Sequence, residues 1–369
     1  MNSLQHLRRG LMATAGTLFL ALFICLLVRP EWLVGWGTVI LVAMVPAQIV
    51  ISLVWQARYP LVLAALPQPL RGMAFTALNG VIGAAVAYVA WRTVGGTLPV
   101  ATPFLIMFLI FSVAITLVLV VPLQCWPFSS LIGHTGLKGA ALVLAAYGLA
   151  YGGYLWLFDF GFLVGAPFYQ PGLDPHGLFR AWTPLVFSIA MLVPVLGLVL
   201  FDFWPITKLT ARLSVLGRQP MFGLIALTLI LAVAAGLWAV FVGQGLDPVV
   251  FMVRVCVTVN FGYFILLVMF EGVPQLRLPQ PWRGLVLNGI AIGLAVLMLW
   301  LYEHVAGQRF VLIAGAPGYA MELWLASAML AVTFPLMVVV GSYFQFWPIA
   351  RPASVGSDPV GAEPEGRSR

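Results

Sequence analysis

Residues 344–349 read FQFWPI and residues 201–206 read FDFWPI, and each string closes a long apolar run. A shorter relative, CWPF, occupies 125–128, and degenerate forms stand at 55–60 (WQARYP) and 270–275 (FEGVPQ). Trp and Phe rings favour the headgroup level of a bilayer, where they meet both hydrocarbon and water, and proline cannot continue a helix. The strings therefore read as the interfacial ends of membrane-spanning helices.

Composition agrees. The 369 residues are 62% hydrophobic and 8% charged, against about 45–50% and about 25% in soluble domains. Apolar runs of about 20 residues, enough to cross the hydrocarbon core as a helix, recur along the chain. They lack the alternation of a membrane β-barrel. The spans are expected near 11–28, 33–55, 73–94, 101–121, 140–162, 181–201, 221–242, 249–270, 285–303 and 319–343. The first follows LRRG and has no small-residue cleavage site, so it reads as retained.

The openings of the runs repeat as their ends do. LPQPLRG at 66–72 matches LPQPWRG at 278–284, with LNG following at 78–80 and 287–289. QPMFG at 219–223, LKG at 137–139 and RRG at 8–10 hold the corresponding place before other runs. Opening, helix, loop, second helix and aromatic close make a hairpin. The expected fold is all-α and polytopic: ten transmembrane helices as five repeated two-helix hairpins, at roughly 8–60, 66–128, 137–206, 217–275 and 278–349. They form one transmembrane domain, 1–350, and the Pro- and Gly-rich segment 351–369 reads as a disordered cytoplasmic tail. GLDP at 172–175 and 245–248 offers Asp as a helix cap with Pro in the first turn.

Charge sets the expected orientation. Arg8, Arg9, Arg58, Arg71, Lys138, Lys208, Arg212, Arg218, Arg277 and Arg283 fall with the tail on one side, and Arg29, Arg92, Arg180, Arg254 and Arg309 on the other. The positive-inside rule places both termini in the cytoplasm and the chain in the cytoplasmic membrane. The net charge of +7 is thus topological and implies no nucleic-acid partner. The expected partners are the lipid bilayer and a small solute, with a homo-oligomer or a membrane partner subunit left open.

The odd-numbered helices carry small residues at helical spacing, such as Gly148 and Gly152, Gly289 and Gly293, Gly80 and Ala84, and Ala232 and Gly236. Close backbone approach through such pairs predicts that the odd helices lie inside and the bulkier even helices, with FLIMFLIF at 104–111, outside. In its five hairpins around an axis, and in topology alone, this plan resembles the ten-helix slow anion channel and tellurite-resistance carrier fold. The resemblance assigns no residue a role.

An ionisable residue within a span is a functional candidate. Arg254 is one, either as an anion contact or snorkelling outward to pair with Asp247 or another acid. Thr258 and Asn260 lie close to it on the same span, Asn79 and Asn288 occupy the equivalent LNG positions, and Arg92 and Arg180 sit near the same outer level. These seven are the candidate substrate-binding residues. Asp202, Trp204, Glu271, Gln345, Trp347 and Trp126, at the closes, are candidate gate residues or interface anchors. Tyr147, Tyr151 and Tyr154 read as a packing stripe.

No cofactor or metal motif is present: the four histidines are scattered, and Cys25, Cys125 and Cys256 have no CxxC spacing. The functional expectation is a transporter or channel-like carrier for a small solute, an anion among the options. The alternatives are a non-transporting subunit or scaffold, and a carboxylate-based intramembrane enzyme using Asp159, Asp174, His176 or Glu322.

Overall fold

A computed structural model describes residues 3–210, 213, 215–273 and 276–349. The expected tail at 351–369 and Arg212 lie outside the described residues. Among those described, nine helices are long and apolar enough to cross a membrane: α1 Ser3–Leu27, α3 Leu70–Thr93, α4 Pro103–Val120, α5 Thr135–Leu157, α6 Trp182–Leu200, α7 Met221–Phe241, α8 Pro248–Met269, α9 Trp282–Arg309 and α10 Ala320–Tyr343. A further element, α2, has two pieces, Pro30–Val42 and Val45–Val54, bent by 45°. Pro46 has no amide proton for the Val42 carbonyl, which breaks the ladder at the bend. Among the described residues the one pair of strands is β1 Phe158–Asp159 against β2 Phe179–Arg180, parallel and two residues long.

The even helices form the interior. α2, α4, α6, α8 and α10 touch in that order, and α10 meets α2 to close a ring. Each outer helix lies in a groove of that ring: α1 between α8 and α10, α3 between α10 and α2, α5 between α2 and α4, α7 between α4 and α6, and α9 between α6 and α8. Buried shares of 61–78% for α4, α6, α8 and α10, against 17–39% for the odd helices, leave no ambiguity. This corrects the expected arrangement with odd helices inside. Both lipid and core favour apolar side chains, so hydropathy does not separate the two positions. The mid-helix glycines on which that expectation rested, Gly80, Gly148, Gly152, Gly236, Gly289 and Gly293, have nothing within 4 Å of where a Cβ would stand. They face outward, beside exposed Val81, Leu144, Val240, Val296 and Trp300.

The small residues that do meet the inner ring lie within the first two turns of each odd helix. A Cβ on Gly10 would meet the Phe270 ring at 2.7 Å, on Gly72 the Phe344 ring at 2.6 Å, and on Gly223 the Leu123 side chain at 2.7 Å. Gly139 and Gly284 abut Trp55 and Phe201 in the same way. All five partners stand just past the end of an even helix. Three glutamines tie the same junctions. Gln68, Gln219 and Gln280 accept from the amides of Gly72, Gly223 and Gly284 at 3.2, 3.2 and 3.0 Å. Their amide nitrogens donate to the carbonyls of Tyr343, Pro122 and Leu200 at 2.8, 3.1 and 3.2 Å. One side chain thus satisfies an orphan donor at a helix start and an orphan acceptor at a helix end.

The closes end differently from the sequence reading. Paired left-handed residues stop the helices, at Gln56/Ala57, Gln124/Cys125, Asp202/Phe203, Glu271/Gly272 and Gln345/Phe346. The second amide of each pair bonds back across the last turn, as from Cys125 to the Leu119 carbonyl at 2.8 Å and from Phe346 to that of Val340 at 2.9 Å. The Trp-Pro pair comes only after this stop. Inside the ring, α2, α8 and α10 contain wide turns, and threonine hydroxyls donate to the carbonyls five residues back: Thr38 to Leu33 at 2.8 Å, Thr258 to Val253 at 3.0 Å and Thr333 to Ala328 at 2.7 Å.

Candidate functional site

The five even helices enclose a cavity of about 220 Å³ on the ring axis. Its wall takes Val34, Val42 and Val45 from α2, Met107 and Val113 from α4, Trp182 and Leu192 from α6, Met252 and Phe264 from α8, and Leu323 and Phe334 from α10. The wall begins at the first turns of α4, α6 and α10 and stops at mid-helix. At its inner limit the Phe264 and Phe334 rings meet with centroids 4.1 Å apart and planes tilted by 33°. The cavity therefore belongs to the half of the ring nearer the helix-connecting loops, opposite the aromatic closes.

No charged side chain lines it, and the only polar ones are Thr38, Ser327 and Asn260. They are largely engaged within the protein. Thr38 Oγ1, with one proton, lies 2.8 Å from both the Leu33 carbonyl and Ser327 Oγ, Ser327 donates to the Leu323 carbonyl at 2.8 Å, and Asn260 donates to the Ile189 carbonyl at 3.3 Å while its Oδ1 has no partner. The Thr38–Ser327 and Asn260–Ile189 bonds join α2 to α10 and α8 to α6, so the polar groups of the wall hold the ring together.

Of the expected binding residues, only Asn260 reaches this wall. Arg254 lies where α8 meets α9 and α10, bonded to Glu303 and, at 3.0 Å, to Glu322. Glu322 is 1% exposed and also accepts from the Gly315 amide at 3.0 Å. The guanidinium is thus flanked by two carboxylates. Thr258 is spent on its own helix, and Asn288 accepts from the Tyr263 hydroxyl at 2.6 Å, joining α9 to α8. Asn79 is buried with its Oδ1 unpaired, on outer helix α3. Arg92 and Arg180 are exposed near the loops.

The expected gate residues cluster at the opposite end. Asp202 accepts from Gln280 and Arg283, both at 2.8 Å, and Glu271 from Arg9 at 2.9 Å. Asp202, Glu271 and Gln345 hold the first left-handed position of their closes. Trp126 and Trp204 are half-buried, Trp347 is 39% exposed, and Trp55, outside the expected set, donates to the Thr135 carbonyl at 3.0 Å.

The carboxylates divide between two places. Asp159, Asp174 and His176 offer ligand atoms within 4.8 Å of one another in the loop before α6. Asp174 is engaged there in holding the loop: it accepts from the amides of Phe160 and His176 at 3.1 and 3.0 Å and from Tyr169 at 3.0 Å. It does not cap α6, as GLDP had suggested, whereas Asp247 does cap α8 through the amides of Val249 and Val250 at 2.9 and 3.1 Å. Tyr319, before α10, donates to Asp247 at 2.8 Å, and burial together with that carboxylate raises its phenol pKa. Glu322 sits apart, with Arg254.

Comparison of the chain with protein-family models, with characterised proteins and with solved structures finds no match. The cavity, its Phe264–Phe334 floor and the Thr38–Ser327 pair escaped the sequence reading. The glutamines were visible in the QP openings, but nothing there says that their partners lie on a distant close.

Proposed function

We propose that this multi-pass membrane protein is a carrier whose axial pocket receives the apolar part of a small solute. Ten crossings as five repeated hairpins, within a single domain over 1–350, are the architecture of the proposal. The five like junctions of an odd-helix glycine with an even-helix close support it, as do the three like glutamine bridges. The observation that carries the function is that one cavity is walled by all five even helices at once. A pocket on the axis of a ring is the natural site for alternating access, because small rotations of the hairpins open either end.

The wall favours an uncharged occupant over an anion. It has no cation, and Arg254 is occupied by Glu303 and Glu322. Placement in the cytoplasmic membrane with the closes inward remains part of the proposal and rests on Arg9, Arg71, Lys138 and Arg283 standing at that end. The Phe264–Phe334 contact at the inner limit favours a second reading, a membrane subunit that binds its ligand without passing it on.

Single cysteines in a background lacking Cys25, Cys125 and Cys256 separate the two. A carrier exposes W182C to an impermeant thiol reagent from the loop side and F334C from the close side. If F334C is reached from neither side while W182C reacts, the chain binds and does not translocate; if W182C is also silent, the pocket itself is refuted.

A further inference from the structure

We infer that the occupant is the hydrocarbon chain of an amphiphile, admitted tail first from the loop end with its polar head left at the rim; this rests on the pocket reading above. The wall supplies no charge; the two hydroxyl protons are shared among the Leu33 and Leu323 carbonyls and the Thr38–Ser327 contact, and the Asn260 amide donates to Ile189. A polar head drawn inside would exchange its water for a single free acceptor, Asn260 Oδ1. Dry apolar cavities of about 150 Å³ take up benzene or xenon in other proteins, and this one, at about 220 Å³, is larger.

Its shape suits a chain. From Trp182 at the mouth to Leu192 near the floor is about 15 Å along α6 at 1.5 Å per residue. Phe264 and Phe334 meet at the inner limit of the pocket. Helices α1, α3, α5, α7 and α9 flank the inner ring on the lipid side. At the rim the Trp182 and Tyr319 rings lie 6.4 Å apart beside exposed Arg180, a setting that leaves a head hydrated. A molecule without a head would cross a bilayer unaided, which is the further reason to assign the pocket to an amphiphile's tail.

The test is photolabelling of the full-length protein in lipid nanodiscs. One probe is a medium-chain alcohol with a diazirine at the tail end; a second carries the diazirine next to the hydroxyl; a third is a phospholipid with it at the end of an acyl chain. The tail-end alcohol should mark Ile189, Leu192, Phe264 or Phe334, and the head-end alcohol Trp182 or Leu323. Labelling of the floor should fall at least fivefold in A331F, which fills the pocket. Identical label positions for the two alcohols, or floor labelling equal in A331F and the parent, would overturn the inference while leaving a pocket. Floor labelling by the phospholipid alone would overturn entry from the loop end. No wall adduct with any probe would remove the pocket reading as well. The comparison of the two alcohols needs no variant, so it stands even if A331F fails to fold.

Discussion

Replacing Gly284 by Ala adds a methyl group where the Phe201 ring already stands, and replacing Gly72 by Ala does the same against Phe344, with three ring atoms at 2.6–2.7 Å. Ordinary contact begins near 3.4 Å, so Phe344, at 2.6 Å, must withdraw by the better part of an ångström and Phe201, which stands closer still, by more than one. The contacts involve the near edge of each ring, which cannot swing away without moving the close. Overpacking of this kind costs about 1–3 kcal/mol, while Ala in a helix recovers about 0.5–1 kcal/mol over Gly. The expected net loss is about 1–2 kcal/mol at either site, a fall in Tm of several degrees. At Gly148, Gly152, Gly289 and Gly293 a methyl meets nothing within 4 Å, so only the propensity gain remains. The six variants should therefore split by sign in thermal unfolding followed in one detergent. Loss of stability at Gly148 or Gly289 as large as at Gly284 would mean that the mid-helix small faces are buried, and would refute the placement of the odd helices outside.

Other variants probe the junctions. Glu322→Ala leaves the Gly315 amide without its acceptor and Arg254 with one carboxylate; because Arg254 is 30% exposed, the cost should lie near the low end for a broken buried pair, about 3 kcal/mol, against under about 1 kcal/mol for Glu303→Gln, read from the same melts. Gln280→Leu removes both the cap on Gly284 and the donor to Leu200, for about 1–2 kcal/mol; Gln68→Leu, at an equivalent junction far away, should add to it within about 0.5 kcal/mol in the double variant. Thr258→Val removes the hydroxyl bond to the Val253 carbonyl in α8 but keeps the amide bond to it, and should cost about 0.5–1 kcal/mol, with labelling of W182C unchanged.

Much of the frame is legible in the sequence, for physical reasons that also explain the rest. Length and apolarity suffice to place membrane helices, and the FxFWP and QP strings sit at helix ends because only certain residues resolve the orphan groups there. Arg254 could be recognised as needing a carboxylate, but Asp247 is engaged with Tyr319 and its own helix cap, and the partners are Glu303 and Glu322 on other helices. Inside and outside were not legible, since a residue such as Leu144 facing lipid and one such as Leu185 facing the core obey the same preference. The cavity was hidden more deeply. It is a property of five helices whose neighbours are not successive in the chain, and no single one of its lining residues is unusual.

The central claim is that the even helices close into a ring, and its seam is the contact of the first with the last. Thr38 Oγ1 and Ser327 Oγ, on α2 and α10, are in hydrogen-bond contact at 2.8 Å, so cysteines at these two positions bring their sulfurs within reach of one another. In a background lacking the native cysteines, T38C with S327C should form an intramolecular disulfide under mild oxidation. After cleavage at a protease site inserted in the loop between α7 and α8, the two halves should remain joined until reduced. Halves that separate without reductant, while N79C with N288C on the outer helices do cross-link, would contradict the ring.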